Sequence, residues 1–457
     1  MMMEDQKNNE GEAVKSLIAL NKLNYQLPPT INLGVECKHV SNFPTSSVYA
    51  VGASTNQTMV FDSSISGLNT FTDCADSYLR FKITATAPLE GGNAGTYLRG
   101  GIQSVFKSIV ILNQGTEISR IDDMNVIMLQ EKYWTKSNTY FQSAGNAEGL
   151  IPLDVAYADS KAPEADGKYD SPNYNSCQYI LSNTSTSFVL PLSSFGGFFQ
   201  QGALLPPQVM AGLRLEITLA PPIEVFSYNV DAPSEITADY IPASYSLTDI
   251  AIQWKTQRIS DTFGRSISDT TAREGLSLLY KEYYHTRLTA ATTSINYDVK
   301  KACSHALRCI IIARAETDLV DVTGCTLAPS AYKFKDFQAN VANTYLPQQK
   351  VVMGVGFAGK REGYLYASQA WGNLGAVPYQ RFYNGNGLAR GFHPCLASLC
   401  FDLSTSKSSP FAGLEINNNR ALLFTLSVDD SVQTRYDTFL QHARVLKVFA
   451  NSMVVKD

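Results

Sequence analysis

Hydrophobic and polar residues alternate along much of the chain with the period of two that is typical of β-strands. Leu79, Phe81 and Ile83 alternate with Arg80, Lys82 and Thr84, and the same spacing returns over 213–219 and 422–428. Because successive side chains of a strand point to opposite faces, this spacing predicts sheets with one buried face. Helical spacing is confined to three short stretches, at 12–23, 122–134 and 271–279. The pattern therefore predicts an all-β fold with short helices in the loops.

A hairpin is predicted in the first half of the chain. The apolar segments 104–112 and 116–121 flank Asn113-Gln114-Gly115, and the glycine accepts the positive φ that a tight turn requires. Asp122 or Asp123 follows as a natural N-cap for the short helix that the spacing predicts up to Trp134.

The pattern that closes the first half of the chain returns near its end. Leu190 corresponds to Phe401 (401 − 190 = 211), and Leu213 corresponds to Leu422 (422 − 213 = 209). An offset of about 210 residues predicts a tandem duplication of one β-fold. The expected organisation is an arm, a first unit, a connector and a second unit, at 1–45, 46–220, 221–246 and 247–457.

The second unit is expected to open with the alternation of Ile250, Ile252 and Trp254, and to close with one strand through Val445 to Val455. Segments 143–175 and 315–395 are rich in glycine, asparagine and proline, so long surface loops are predicted there.

Composition narrows the class of protein. A chain of 457 residues is long for one hydrophobic core and suits two domains. Charged residues make up 17%, with a formal net charge of -4, which argues against a large surface that binds nucleic acid. The eight cysteines form no CxxC pair, and the acidic start does not resemble a secretory signal. We therefore expect free thiols and a protein that folds inside a cell.

Three segments, taken in order, carry a family resemblance. They are Leu98–Ile118 with the helix after it, Phe188–Leu219, and Arg420–Leu426 with the terminal Leu446–Phe449. Together they resemble the double jelly-roll major capsid proteins of the tectivirus and adenovirus lineage, most of all those of virophages and Polinton-like viruses. The resemblance spans residues 50 to 457 and implies two tandem jelly-roll β-sandwiches.

The resemblance also implies a structural role and no enzymatic activity. Three chains would form a homotrimer with a pseudo-hexameric outline, the capsomer of an icosahedral shell around a double-stranded DNA genome. The implied partners are neighbouring capsomers, a penton protein, minor capsid proteins and, through the N-terminal arm, an internal membrane. No sequence-specific contact with nucleic acid is implied. The implied location is the virion, after synthesis and assembly inside the host cell.

A glycine-rich segment imitates a phosphate-binding loop. Gly354, Gly356 and Gly359 match GxGxxG, and Lys360 extends the segment toward GxxxxGK[ST]. Arg361 stands where the phosphate loop needs serine or threonine to hold Mg²⁺, and no helix is predicted after it. A glycine-rich turn is the preferred interpretation, and a nucleotide-binding enzyme is the alternative.

Two Cys/His groups have ligand types suited to zinc, namely Cys303, His305 and Cys309, and His393, Cys395 and Cys400. Neither group has the close paired spacing of zinc motifs, so buried free thiols are expected. Asp122-Asp123 and Tyr280–His285 offer an acid–base interpretation, but a helix cap and a strand with inward aromatics are preferred. We therefore predict no catalytic, cofactor-binding or metal-binding residue and no cofactor.

The main alternative function is a tandem β-sandwich that binds or cleaves glycans. Such a protein needs an aromatic platform on which sugars stack, and a glycan-cleaving one also needs a carboxylate pair. Only three tryptophans, Trp134, Trp254 and Trp371, are available for the platform, so this alternative has little support.

Overall fold

A computed structural model describes most of the chain from residue 36 onward. The described residues are 36–53, 55–65, 67, 69–89, 95–136, 140, 143–149, 179–227, 238–320, 327, 334–341, 344–352, 361–371, 399–404, 412–417, 420–428, 431–449 and 452–457. The helix predicted at 12–23 and most of the loop predicted at 143–175 lie outside them. No helix in these ranges combines the length and the apolar composition needed to cross a bilayer.

The first half of the chain forms a sandwich of antiparallel sheets. Its strands are β1 (Glu36–Asn42), β2 (Tyr49–Gly52), β3 (Thr58–Asp62), β4 (Thr70–Ala85), β5 (Gly95–Leu98), β6 (Phe106–Asn113), β7 (Thr116–Ile121), β8 (Tyr179–Leu181), β9 (Thr186–Pro191), β10 (Leu213–Leu219), β11 (Phe226–Ser227) and β12 (Ser244–Arg258). One sheet has the order β1-β12-β4-β9, with β2 also paired to β12, and the opposite sheet has the order β3-β10-β6-β7. A small third sheet has the order β11-β5-β8.

The second half forms another sandwich. Its strands are β13 (Leu276–Ala290), β14 (Ser294–Val299), β15 (Cys303–Ala315), β16 (Phe334–Val341), β17 (Thr344–Val352), β18 (Leu399–Asp402), β19 (Leu414–Ile416), β20 (Leu422–Val428), β21 (Thr434–Val448) and β22 (Met453–Lys456). One sheet has the order β13-β21-β15-β18, with β19 on β15 and β22 on β21. The other sheet has the order β14-β20-β16-β17.

Eight strands of each half occupy equivalent places. Counted from β2 in the first half without β5, β8 and β11, and from β13 in the second half without β19 and β22, both halves have the sheet orders 1-8-3-6 and 2-7-4-5. Two four-stranded antiparallel sheets built from eight strands in this order form a jelly roll. The predicted all-β architecture of two tandem jelly rolls is therefore confirmed.

The predicted correspondence between the halves also appears strand by strand. The seventh strands, β10 and β20, begin at Leu213 and Leu422 and show the same alternation of buried and exposed side chains. The sixth strands, β9 and β18, contain Leu190 and Phe401. The predicted hairpin is present as β6 and β7, with positive φ at Gln114 and Gly115.

Helices are short and lie between strands. They are α1 (Met124–Thr135), α2 (Ala144–Ala147), α3 (Pro207–Met210), α4 (Pro222–Val225), α5 (Asp261–Glu274), α6 (Glu316–Leu319) and α7 (Arg361–Trp371), with 3-10 turns at Ile102–Val105, Leu192–Phe195, Gly197–Gln200 and Ala238–Tyr240. The helix predicted after Asp123 is confirmed by α1. The helix predicted at 271–279 was wrong beyond residue 274, because Gly275 has positive φ and Leu276 already begins β13.

Two strands, β12 and β1, lie in a different part of the fold from the one predicted from the sequence. Residues from 247 were expected to open the second unit, but β12 pairs with β2 and β4 and is the last strand of the first jelly roll. β1 lies in the predicted arm and pairs with β12. The eighth strand of a jelly roll fits between the first and third strands, which are distant in sequence, so alternation alone does not reveal its neighbours.

Two other strand predictions were incomplete. The segment expected to be loop at 315–395 contains β16, β17 and α7. The single last strand expected through 445–455 is a hairpin of β21 and β22, closed by the bond from the Phe449 amide to the Ser452 carbonyl at 2.8 Å.

The two halves share apolar packing as well as having cores of their own. Phe337, Phe401 and Phe424 belong to a core inside the second jelly roll. Ile310 and Ile312 of β15 instead belong to the larger cluster of the first half. β15 is therefore buried on both faces, one toward its own core and the other toward the first jelly roll.

Candidate functional site

The candidate site is the junction where β13 packs against the first jelly roll. The Tyr280 hydroxyl donates to the Ile118 carbonyl of β7 at 2.6 Å, and the Tyr280 ring meets Phe198 edge-on at a centroid distance of 5.5 Å. A Cβ on Gly197 would lie 2.4 Å from the carbonyl oxygen of Lys281, and Gly197 has a φ of +36°. Only glycine therefore permits this approach of β13 to the turn at 197–200.

A buried carboxylate from the first jelly roll enters a group of cations from the second. Asp123 is 6% exposed and precedes α1. Its Oδ2 lies 3.5 Å from His285 Nδ1 and 3.5 Å from Arg435 Nη2, and it also contacts Arg287. Its Oδ1 lies 3.1 Å from Lys107 Nζ within its own half. Asp123 therefore bridges the two jelly rolls by charge.

A second buried carboxylate, Asp437 of β21, organises the same cations. Its Oδ1 accepts from Arg287 Nε at 2.8 Å and lies 3.0 Å from His285 Nε2. Its Oδ2 accepts from Arg314 Nη2 at 2.5 Å and from Arg435 Nε at 3.1 Å. Asp437 thus holds in place the cationic side chains that receive Asp123.

The neighbouring positive charges affect the pKa values of both carboxylates more strongly than burial does. Burial acts to raise the pKa of Asp123, but the charges of Lys107, His285 and Arg287 hold it below its ordinary value. Burial also acts to raise the pKa of Asp437, yet Arg314 and the hydrogen bonds from His285 and Arg287 bring it far below. Both groups therefore stay ionised: Asp123 pairs with cations of the second half, and Asp437 holds those cations in place.

A second charged contact crosses the junction at Glu282 of β13. Its Oε1 accepts from the backbone amide of Arg120 at 2.6 Å, and its Oε2 contacts Arg444. Arg444 Nη1 also donates to the Ile118 carbonyl at 3.1 Å. Burial raises the pKa of Glu282 although Arg444 and the Arg120 amide act to lower it. Glu282 and Arg444 therefore attach β13 and β21 to β7.

Aromatic and cationic side chains complete the junction beside α1. The Tyr283 hydroxyl donates to Glu131 Oε2 at 3.0 Å and accepts from Arg308 Nη2 at 2.8 Å. The Arg308 guanidinium stacks over Trp371 at 4.0 Å from the ring centroid. Tyr283 is 1% exposed, so the preferred interpretation of Tyr280–His285 as a strand with inward aromatics agrees with the structure.

The cluster of Asp123, His285 and Asp437 has the donor atoms of a small metal site, which lie within 4.8 Å of one another. Its chemistry does not suit a cation, because Lys107, Arg287, Arg314 and Arg435 already neutralise the two carboxylates. A divalent ion would have to displace those groups against their charge.

The cysteines considered as zinc ligands lie in apolar surroundings. Cys303 and Cys309 face the second core, and Cys400 is buried beside β15. Burial raises the pKa of Cys303 to about 11 and that of Cys309 well above its ordinary value. Thiols that remain protonated are poor ligands. His393 and Cys395 lie outside the described residues, so the absence of a metal there stays a prediction.

The glycine-rich segment at 354–361 lies outside the described residues except for Arg361, the first residue of α7. The expectation that no helix follows was wrong, because α7 begins there. β17 before the segment is an edge strand that pairs antiparallel with β16. Dinucleotide-binding loops join a parallel strand to a helix, so these neighbours do not form that unit.

The sequence singled out several residues of the junction, but it did not show that they join the two halves. Asp123 was interpreted as a helix cap; it occupies the cap position with a φ of 45°, but its side chain makes no capping bond. Besides Lys107, the cations that bind it are Arg287 and Arg435, which lie more than 150 positions away in the sequence. The local signal was the presence of charged or titratable residues, including Glu282, His285 and Arg287, beside the inward-facing aromatic residues of β13.

Comparison with solved structures finds the same fold in viral capsid proteins. The Sputnik virophage structure from cryo-EM has a TM-score of 0.55 at 12% identity, over 96% of this chain and 91% of that chain. The PBCV-1 virus capsid has a TM-score of 0.55 at 10% identity, over 95% and 99%. The Faustovirus major capsid protein has a TM-score of 0.53 at 8% identity, over 98% and 98%.

These alignments extend over nearly the whole of both chains, so the likeness includes both jelly rolls and their tandem order. No protein-family model matches the chain, and no curated protein matches it. The chain therefore has the double jelly-roll fold of these capsid proteins, as its sequence predicted.

Proposed function

We propose that this chain is the major capsid protein of an icosahedral virus with a double-stranded DNA genome. The observation that carries the proposal is the repetition of one eight-strand jelly roll, with the same two sheet orders, in both halves of the chain. We place the division between the two jelly rolls in α5, which follows β12 and precedes β13. The proposed function is mechanical, and no enzymatic activity on another molecule is part of it.

The duplicated fold explains a trimeric capsomer. Each chain contributes two similar sandwiches, so three chains around a threefold axis supply six similar sandwiches and a nearly hexagonal outline. Such a ring closes because each subunit uses two different faces, one toward each neighbour. A capsomer of this outline tiles a surface with six neighbours at each position.

The junction gives the capsomer its rigidity. Asp123 joins the two jelly rolls through ion pairs with Arg287 and Arg435. Asp437 holds these arginines in place within the second jelly roll, and Glu282 accepts from the Arg120 amide of the first. A shell subunit transmits force between neighbours, so its two halves must keep one relative orientation. We propose that the charged junction provides this constraint.

The proposed shell implies several partners for the capsomer. Neighbouring capsomers contact one another through their outer faces, and a penton protein closes the fivefold positions. Minor capsid proteins join capsomers, and the part of the N-terminal arm that precedes β1 is the segment proposed to contact an internal membrane or an adjacent capsomer. The formal charge of -4 favours a shell that encloses the genome without reading its sequence. The protein acts in the virion after assembly in the host cell.

The glycan-binding alternative is disfavoured by the tryptophans. Trp134, Trp254 and Trp371 are 1%, 0% and 5% exposed, so none of the three presents a face on which a sugar ring stacks. A carbohydrate site built on a β-sandwich needs such an open aromatic platform.

Native mass spectrometry of the purified recombinant protein tests the proposal. The expected particle has three times the chain mass of 50.1 kDa and keeps that mass on dilution through the micromolar range. Thermal shift with ATP, with NAD and with a panel of soluble glycans serves as the control, and no shift is expected. A monomer at all concentrations, together with a clear shift for one of these ligands, would overturn the proposal.

A further inference from the structure

A second group of buried polar side chains lies in the first jelly roll, outside the junction network. Lys132 of α1 is 4% exposed, Glu148 is fully buried and Gln103 is 1% exposed. Lys132 Nζ contacts Glu148 Oε2 and donates to Gln103 Oε1 at 3.2 Å. Tyr140 donates its hydroxyl to Glu148 Oε1. The amine, the carboxylate and the side-chain amide are therefore in mutual contact and shielded from water.

Burying a lysine costs free energy unless its charge is paired or removed. The largest influence on Lys132 is burial, which lowers its pKa, although Glu148 acts to raise it. In a water-excluded site, proton transfer from the ammonium to the carboxylate in contact with it yields a neutral amine and removes both buried charges. A neutral amine is a nucleophile, and the side-chain amide of Gln103, whose Oε1 accepts from Nζ at 3.2 Å, offers an electrophilic carbonyl carbon with a nitrogen leaving group.

The backbone holds these groups in place. The Ile102 amide donates to the Glu148 carbonyl at 2.9 Å, so the 3-10 turn that carries Gln103 is bonded directly to the residue that carries the carboxylate. Gln103 Nε2 donates to the Gly100 carbonyl, which fixes the amide plane. Lys132 lies in the last turn of α1, a helix packed on this turn. Proximity of this kind lowers the barrier to a reaction between groups that are otherwise unreactive.

We propose that Lys132 and Gln103 form an intramolecular isopeptide bond, with Glu148 as the group that transfers the proton. Glu148 takes one proton from the Lys132 ammonium, and the free Nζ then attacks Cδ of Gln103. The new Cδ–Nζ bond forms as the Cδ–Nε2 bond breaks. The amide nitrogen leaves with two protons, the one returned by Glu148 and a second that Nζ gives up as the new amide forms. One ammonium ion is therefore released, and no oxidant or reductant is needed. Tyr140 positions Glu148 by its hydrogen bond.

The bond would close a loop of chain between residues 103 and 132, which contains β6, β7 and most of α1. A covalent link across such a loop restricts the unfolded chain, as a disulfide does. Unlike a disulfide, an amide is stable in a reducing compartment, where this protein's free cysteines are expected to stay reduced. The bond therefore stabilises the first jelly roll independently of the redox state and of assembly.

The test is the mass of the purified wild-type protein under denaturing conditions, followed by tryptic mapping. The expected intact mass is lower than the sequence mass by one ammonia. Trypsin does not cleave after a lysine whose amine is acylated, so a branched peptide of Gly100–Lys107 joined to Ile121–Lys136 is expected. An ordinary buried ion pair predicts the full sequence mass, cleavage after Lys132 and separate peptides, and that result would overturn the proposal.

Two variants separate the chemistry from the fold. Glu148→Gln removes the proton carrier while it keeps the shape of the side chain, so a folded protein with the full sequence mass is expected. Lys136→Arg changes an exposed lysine one turn away and is expected to retain the loss of ammonia. If Glu148→Gln fails to fold, the wild-type peptide map alone decides. Loss of ammonia at any other position in the map also contradicts the proposal.

Discussion

At the scale of single residues, the ionisation of the buried aspartates in the junction depends on two opposing effects. Burial favours the neutral carboxyl group, and the neighbouring cations favour the carboxylate. Two aspartates are buried without losing their ionisation because five cationic or titratable groups surround them. Replacing a whole buried ion pair by apolar groups often costs little, but removing one partner leaves the others buried and uncompensated. The sequence pattern locates these residues in strands, yet it does not reveal that Asp123 and Asp437 share cations, since their contacts are set by the packing of the two halves.

Asp437→Asn tests this balance with almost no change of shape. Arg287, Arg314 and Arg435 would lose their shared anion, so the free energy of unfolding is expected to fall by roughly 3–5 kcal/mol. The measurement is urea unfolding at one fixed protein concentration. Asp62→Asn is the control, since the Asp62 side chain is 62% exposed and 3.8 Å from Arg214, and a change within about 0.5 kcal/mol is expected. Equal losses in both variants would contradict the role of the junction.

The depressed pKa values of Asp123 and Asp437 also predict acid sensitivity. In the unfolded chain an aspartate takes up its proton near pH 3.9, whereas in the folded protein these two remain ionised to lower pH. Below about pH 4 the unfolded state therefore binds more protons, and stability falls as the pH falls.

Asp437→Asn should lose stability less steeply over that range than the wild type does, measured by urea unfolding at a series of pH values. The raised pKa of Glu282 has its effect above its ordinary value of 4.5, so it does not disturb the comparison below pH 4. Identical slopes in the two proteins would show that Asp437 is not held ionised by its neighbours.

At the scale of strands and helices, the sequence predicted what depends on local alternation and missed what depends on distant pairing. β10, β20 and the β6–β7 hairpin follow from period two and from the turn at Gly115. β12 was assigned to the wrong half because its partners, β2 and β4, lie more than 150 residues before it. β16 and β17 were missed because their surroundings are rich in turn-forming residues.

Strand register in the second jelly roll is tested by neighbouring substitutions on β20. Phe424 is 1% exposed and stacks on Phe401, whereas Leu423 is 44% exposed on the opposite face. Phe424→Asp removes a core ring, which alone costs about 3–5 kcal/mol, and also buries a charge, so no soluble folded protein is expected. Leu423→Asp should express as a soluble protein with a loss below about 1 kcal/mol. The readouts are soluble yield and circular dichroism, and a reversed order would contradict the register.

At the scale of the whole molecule, the main feature is the duplication of one jelly roll. Each half repeats one jelly roll, and contacts at the junction join the two copies. In the proposed capsomer, three such chains would supply six similar bodies. The repeat of about 210 residues was visible in the sequence, because the core positions of equivalent strands keep their spacing even where identity is lost. The relative placement of the two copies was not visible in the sequence, because it depends on residues such as Gly197 and Glu282, whose contacts lie in the other half.

The most direct test of this account is a cryo-EM reconstruction of the purified recombinant protein without imposed symmetry. The expected map shows three chains about a threefold axis and six upright β-sandwiches in a nearly hexagonal ring, with the two sandwiches of each chain in contact through β7 and β13. A map of isolated chains, or of an assembly in which the two sandwiches of one chain do not both contribute to a closed ring, would contradict the proposed capsomer.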